Sequence, residues 1–487
     1  MKKNTLLFCT LLLVLSGCAN PCQEIDKAIN AALRSDKKLT QAEYQTLKAL
    51  VVQNKDDLLE SDCKNRFFDA QNGLDEQKLS GYLVEKGSYF SIDGLDIFSG
   101  GSASNEGNKL VKNKFIFNVY LENSASIDGF VNGVTDFESD IYGLLSKIQN
   151  RELSQAMHFF YINSVVIPQQ NASLKSFIQH IEPNDFRAKG GKRMASDIGE
   201  VMRLVLEQRT ENSVQILISD CVFSPEKGKN ATDYLQQQQT DIENNFTAQL
   251  KKMPFDTQLW QMQSNFKGIY YDKDNAKTNL NNKQRPYYIW FFGSNNALQQ
   301  FNKQIDKANF NAQNTCYLTN ENNTQIDYKI LMKDGKIGDF DLDKSTPKTK
   351  ITNAEANQNL FGFAIALNVQ NLPLDDQYLQ NIANYKPIPN FEITAIDLAN
   401  PQNPSHNGYT HIIKLQTEKL KSQQIELTAQ QKIPLWIAQK HTENDTKINT
   451  QLSKTFGLQY LITGVYEAYK NQNDTQTLFT LPIEIKN

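Results

Sequence analysis

The stretch Glu122-Asn123-Ser124-Ala125-Ser126 places a carboxylate two and four residues ahead of two hydroxyls. It closes a short apolar run, 115–121, of the kind that forms a buried strand. A second apolar run, 215–218, ends in Ser219-Asp220. Between the two runs lies a Gly190-Gly191 loop with Ser196 near its end. Carboxylates, hydroxyls and water are hard oxygen donors, the chemistry that suits Mg²⁺, a cation that keeps part of its hydration shell. In an open α/β sheet, ligands bind outside the carboxyl ends of the strands, where the strand order reverses. Glu122 and Asp220 are expected at two such ends, on neighbouring central strands.

Positioning those groups requires a sheet, and the flanking pattern predicts one. Strand-like runs at 115–121, 158–162, 215–219, 259–271 and 287–292 alternate with helical spacing at 135–148, 196–207, 231–253 and 295–306. Such alternation predicts an α/β fold with a doubly wound, mostly parallel sheet covered on both faces. The Gly/Ser-rich segment 99–110 reads as a flexible linker ahead of it. Past about 312 the pattern turns to alternating apolar residues, as in Phe361, Phe363, Ile365, Leu367 and Val369. That predicts a β-rich, sandwich-like module over 312–487, with short helices near 374–383 and 458–469. Residues 18–98 read as a helical region that opens with a helical hairpin. Ile25, Ala28, Ile29, Ala32 and Leu33 share one face, and Thr40-Gln41-Ala42-Glu43 forms a capping box.

The Glu122-x-Ser124-x-Ser126 segment and the Ser219-Asp220 strand end resemble a von Willebrand factor A domain over roughly residues 113–310. In that family Asp-x-Ser-x-Ser, a Thr from a later loop and an Asp after the fourth strand build a metal-ion-dependent adhesion site. Carried over, the resemblance implies Glu122, Ser124, Ser126, Ser196 and Asp220 as ligands of Mg²⁺, with an open position for a partner's carboxylate. The sequence departs from the family twice. Glu122 replaces Asp, displacing the carboxylate by roughly one C–C bond length, about 1.5 Å, against a Mg–O distance of about 2.1 Å. Ser196 replaces Thr, keeping the hydroxyl but losing the methyl that stiffens it. Asp128 and Asp197 are nearby acids placed to substitute. The same residues also fit a metal-free binding face in a structural envelope protein. A metal-dependent hydrolase using Glu122, Asp128 and Asp220 is a further reading, but no nucleophile–base pair supports it, so the chain reads as a binding protein and not as an enzyme.

Lys2 and Lys3, an apolar stretch over 5–15, and then Leu15-Ser16-Gly17-Cys18 give the chain an address. The stretch is too short to span a bilayer and has the length of a signal-peptide core. Leu15-Ser16-Gly17-Cys18 resembles the lipobox of bacterial lipoproteins, which implies removal of residues 1–17 and diacylation of Cys18. Ala19 in place of Asp then favours the outer membrane. An exported chain lives where disulfides persist, and antiparallel N-terminal helices would bring Cys22 to Cys63; two free thiols are the alternative. Cys221 and Cys316 have no local partner.

Composition narrows the function classes. Lys+Arg number 51 against 54 Asp+Glu, a net charge of −3, which becomes −5 once Lys2 and Lys3 are removed. No clustered positive field exists for nucleic acid. The mean hydropathy of −0.53 excludes a polytopic membrane protein. The five histidines show no metal-ligand spacing. The sequence therefore points to a lipid-anchored envelope protein that binds an envelope or extracellular partner through an A-domain-like face.

Overall fold

The computed structural model describes residues 114–487, apart from 134, 152, 194–196, 226–229, 322–323, 371 and 474–475, together with parts of 22–97. The signal segment with Cys18, the 99–110 linker, Cys63 and Ser196 lie outside the described residues. The chain divides into two compact units, up to Asn113 and from Lys114 to Asn487.

In the first unit, helices Gln41–Gln53, Lys55–Leu59 and Lys64–Phe67 contribute to a small core. Ile25, Leu47, Val51, Leu58, Phe67, Phe68, Leu79 and Tyr82 form it. The unit also holds three strands, Lys38–Leu39, Tyr89–Ile92 and Leu95–Ile97, in one sheet that the helical reading of 18–98 does not contain. Cys22 is disulfide-bonded.

The second unit is built on a seven-stranded sheet. Its strands are β1 (Phe115–Glu122), β2 (Ser154–Ile162), β3 (Val166–Pro168), β4 (Ser213–Ser219), β5 (Asp256–Tyr271), β6 (Lys277–Gly293) and β7 (Asn314–Leu318). They run in the order β7-β5-β6-β4-β1-β2-β3. β1 pairs parallel with both β2 and β4. Every other pairing in the sheet is antiparallel. The fold is α/β with a mixed sheet, and its parallel character is confined to the three central strands. A long hairpin explains the difference from a mostly parallel sheet: β5 and β6 are 16 and 17 residues long, antiparallel and joined by a tight turn. Asn275 takes the left-handed conformation there (φ 59°), which Asn tolerates better than most residues.

Helices cover both faces of the sheet. On one, α1 (Asp136–Asn150) buries Phe137, Ile141, Leu144, Leu145 and Ile148, the i, i+4, i+7 stripe of an amphipathic helix, against Phe117, Val119 and Leu121. On the other lie α2 (Ile198–Glu207) and α3 (Ala231–Lys252), capped at their N-termini by Asp197 and Asn230. Helix α4 (Asn295–Gln304) buries Ala297, Leu298 and Phe301 beside α1's core. Helix α5 (Leu458–Gln472), from the C-terminal part of the chain, shares a core with α2 and α3. A side chain at Gly464 would lie 2.5 Å from the Gln239 carbonyl, so the α3–α5 approach requires glycine there.

Two four-stranded sheets complete the unit. One orders Asp327–Leu331, Phe361–Asn368, His411–Thr417 and Glu392–Leu398; the other orders Asp339–Leu342, Lys350–Glu355, Thr477–Ile485 and Gln423–Gln430. Phe361, Phe363, Ile365 and Leu367 of the first share one core with Ile425, Leu427, Phe479 and Leu481 of the second. Among the described residues no helix is long and apolar enough to cross a membrane.

Asp256, 1% exposed, ties the central sheet to the chain that follows it. Its carboxylate accepts from Thr319 Oγ1 (2.8 Å), Asn295 Nδ2 (2.8 Å), the Asn320 amide (3.2 Å) and the Tyr317 hydroxyl. Burial nevertheless outweighs these donors and pushes its pKa up to about 6. The folded carboxyl thus keeps its proton at pH values where the unfolded one, with an ordinary value near 3.8, has lost it. Stability from this group is highest below that value and falls as pH rises through about 6. Relative to Asp256→Asn, the wild type should gain about 2 kcal/mol between pH 7 and pH 4 in urea unfolding. A loss over the same interval would show the carboxylate to be stabilised in its charged form.

Candidate functional site

The parallel register sets Leu121 against Ile218, so β1 and β4 end side by side. The chain leaves β1 towards β2 on one side and later returns to β4 on the other. The switch point of the parallel strands is therefore the β1/β4 gap, where an open α/β sheet forms its crevice. Glu122, Ser219 and Asp220 line that gap, 3%, 0% and 3% exposed.

Three of the five expected ligands meet there. The Ser124 and Ser126 hydroxyls lie 2.9 Å apart, and Ser126 is near enough to the Asp220 carboxylate to hold its pKa down. Glu122 is close enough for its charge to act on Asp220, and one of its oxygens accepts from the Ser219 hydroxyl. The extra methylene of Glu122 thus carries its carboxylate across to the β4 end. Ser219 in turn accepts from the Cys221 amide at 2.8 Å, and Asp220 accepts from the Val222 amide at 3.3 Å. The turn after β4 is strained, with Cys221 in the left-handed region (φ 55°), a conformation costly for a non-glycine residue. The Cys221 sulfur accepts from Trp290 Nε1 at 3.2 Å, which holds that turn on the sheet.

Electrostatics follow from burial. Desolvation first, and the Glu122 charge second, push the Asp220 pKa well above the usual carboxylate range; Ser126, the Val222 amide and the Arg285 guanidinium pull it down by less. Two buried carboxylates side by side repel unless a proton or a cation sits with them. Arg285, 2% exposed, is spent largely elsewhere: it donates to the carbonyls of Leu452 (3.0 Å) and Lys454 (2.8 Å) and covers the Tyr270 ring at 4.7 Å. Tyr270 donates to Asp445 at 2.5 Å, which completes this buried layer beneath the site.

The two acids held in reserve do other work. Asp128 is clamped by Arg187 at 3.0 Å and by Arg193. Asp197 caps α2, accepting from the Gly199 amide at 2.9 Å and the Glu200 amide at 3.2 Å, and receives Gln238 Nε2 at 3.1 Å. Neither, among the described residues, shares a hydrogen bond with the Ser124–Ser126–Asp220 group. Among the described residues, no set of three or more His, Cys, Asp or Glu is arranged to hold a metal ion. The donors here are two carboxylates with hydroxyls, the composition that the A-domain resemblance implies. Ser124, Ser126 and Asp220, with Glu122 beside them, are the residues that could hold a hard divalent cation here.

Residues that spacing does not single out shape the loop. Arg193 donates to the carbonyls of Asn123 (2.8 Å) and Ser124 (3.2 Å) as well as to Asp128, and its own carbonyl accepts from the Ala125 amide at 2.9 Å. Asn163 donates to Asn123 Oδ1 and to the Gly190 carbonyl, each at 2.8 Å. Gly191 sits at φ 75°, and a Cβ there would come within 2.0 Å of Asn163 Oδ1. The Gly190-Gly191 pair signalled that loop in the sequence; nothing local marks Arg193 or Asn163. Arg193→Ala should cost about 2 kcal/mol in urea unfolding by stranding two carbonyls and Asp128. Arg193→Lys should restore little, because one ammonium lacks the planar fork that reaches all three. Full rescue by lysine would show that charge alone holds the loop.

Comparison with protein-family models, with curated proteins and with solved structures finds no match to the chain.

Proposed function

We propose that this protein is an exported, lipid-anchored envelope lipoprotein, attached through Cys18 and resident in the outer membrane. Its central domain is read as von Willebrand factor A-like, binding a protein partner in adhesion or in assembly of an envelope complex. The face that does so surrounds the end of β1, and Mg²⁺ held by Ser124, Ser126 and Asp220, with Glu122 behind and Ser196 from the following loop, presents an open position to a partner's carboxylate.

The observation that carries this reading is the meeting of Ser124, Ser126 and Asp220 at the β1/β4 switch point, beside a second buried carboxylate. The parallel pairing of β2, β1 and β4 supports a ligand site at the carboxyl ends of these strands. Mg²⁺ would replace the proton that the Asp220–Glu122 pair otherwise favours, which couples metal binding to the charge of the pair.

A second reading, a structural envelope protein with a degenerate site, draws on Glu122. Its carboxylate accepts from the Ser219 hydroxyl, a contact that needs no metal. The hydrolase reading is weakened because Asp128 is held by two arginines.

The test is thermal unfolding of the mature protein at pH 7.5 in Mg²⁺ and in EDTA. At a hundredfold excess over Kd, Mg²⁺ adds about 2.7 kcal/mol, a rise of about 3 °C for a unit of this size. Ser124→Ala should abolish the rise while leaving the EDTA melting temperature within about 1 °C. An equal rise in both proteins, or none in either, would reject the metal-dependent reading and favour the structural one.

A further inference from the structure

On the α1 face of the second unit, an open groove of about 530 Å³ runs between the start of α1 and the segment around residue 181. Its volume lies within the range of small-ligand pockets. Val131, Ile178 and Ile181, 4%, 8% and 1% exposed, form an apolar floor. The Tyr142 ring, 47% exposed, stands at its margin. Glu138, in the first turn of α1, and Glu182, just before Pro183, bring two carboxylates to the same groove. No lysine or arginine is among its described lining residues. Partial burial first, and the Glu182 charge second, raise the Glu138 pKa above its ordinary value, so the two acids oppose each other.

We infer that this groove receives a basic side chain, lysine or arginine, presented by a partner polypeptide. The fit is by charge and shape together. Long basic side chains carry an apolar stem and a cationic head; the stem matches the Val131–Ile178–Ile181 floor, and the head lies against Glu138 and Glu182. A cation between the two carboxylates removes their repulsion, which a neutral ligand would leave in place. Because the groove is open, it suits a side chain offered from a surface better than an enclosed small amine. The groove uses none of the residues assigned to Mg²⁺, so it stands whether or not that reading holds.

The experiment is calorimetric titration of the mature protein, in EDTA so that divalent metal plays no part, with the peptide GKGRG and with the same peptide acetylated on its lysine and carrying citrulline for arginine. The unmodified peptide should bind, and the modified one should not. The double variant Glu138→Gln/Glu182→Gln should weaken binding at least about tenfold while melting within about 2 °C of the wild type, since relief of the repulsion offsets the loss of two acids from helix N-termini. Three results overturn the inference: no binding by the wild type, unchanged binding by the double variant, or equal binding of the modified peptide. A parallel titration with Ca²⁺ alone, without EDTA, covers the remaining case. A calcium response lost in the double variant without a peptide response marks a cation site and also overturns it.

Discussion

The parallel pairing of β1 with β4 is the constraint on which the candidate site depends. With Leu121 opposite Ile218, Glu122 and Ser219 fall on the same face of adjacent strands and can only end next to each other. A slip by one residue would turn one of them to the opposite face, since side chains alternate along a strand. That register is strongly held, because Tyr120 and Leu217 on one face and Val119 and Ile216 on the other are all fully buried. The apolar core thereby forces two carboxylates together in a desolvated place, which no local preference of either acid would choose. Everything near the site then manages that charge: Ser219 on Glu122, Ser126 and the Val222 amide on Asp220, and Arg285 from below.

The surrounding loops are fixed by polar groups instead of apolar ones. Arg193 bridges two backbone carbonyls and Asp128, while Asn163 ties the end of β1 to the Gly190-Gly191 turn. These bonds are what a pre-organised surface needs, since loop atoms already held lose little freedom when a ligand arrives. The C-terminal chain supports the site from a distance. Leu452 and Lys454 accept from Arg285, Asp445 accepts from Tyr270, and α5 closes the core beneath α2 and α3. The β-rich portion is therefore joined to the central sheet through buried polar contacts as well as through Asp256.

Much of the central sheet was legible because its signals are local. The runs ending at Glu122 and Ser219 are apolar on both faces, as buried parallel strands must be, and α1 shows its stripe plainly. The outer hairpin was not. Residues 281–284 (Asn282, Lys283 and Gln284 among them) are exposed, so the first half of β6 has no apolar face to announce it. The overall alternation of helices and strands suggested a mostly parallel sheet, although no helix is expected between 259–271 and 287–292, where a tight turn joins antiparallel strands. For the site, motif spacing named Ser124, Ser126 and Asp220, which meet. It could not show that Asp128 and Asp197 are consumed by arginines and by a helix end, or that Arg285 reaches the site from 65 residues beyond Asp220, because those are long-range facts.

The most direct test of the account is diffraction from crystals of the mature protein grown with Mn²⁺, a stand-in for Mg²⁺ with a usable anomalous signal. The account predicts one anomalous peak within about 2.1–2.3 Å of the Ser124 and Ser126 hydroxyls and an Asp220 carboxylate oxygen. A structure from the same crystals with Ser124 and Ser126 still bonded to each other, and no peak between β1 and β4, would contradict it.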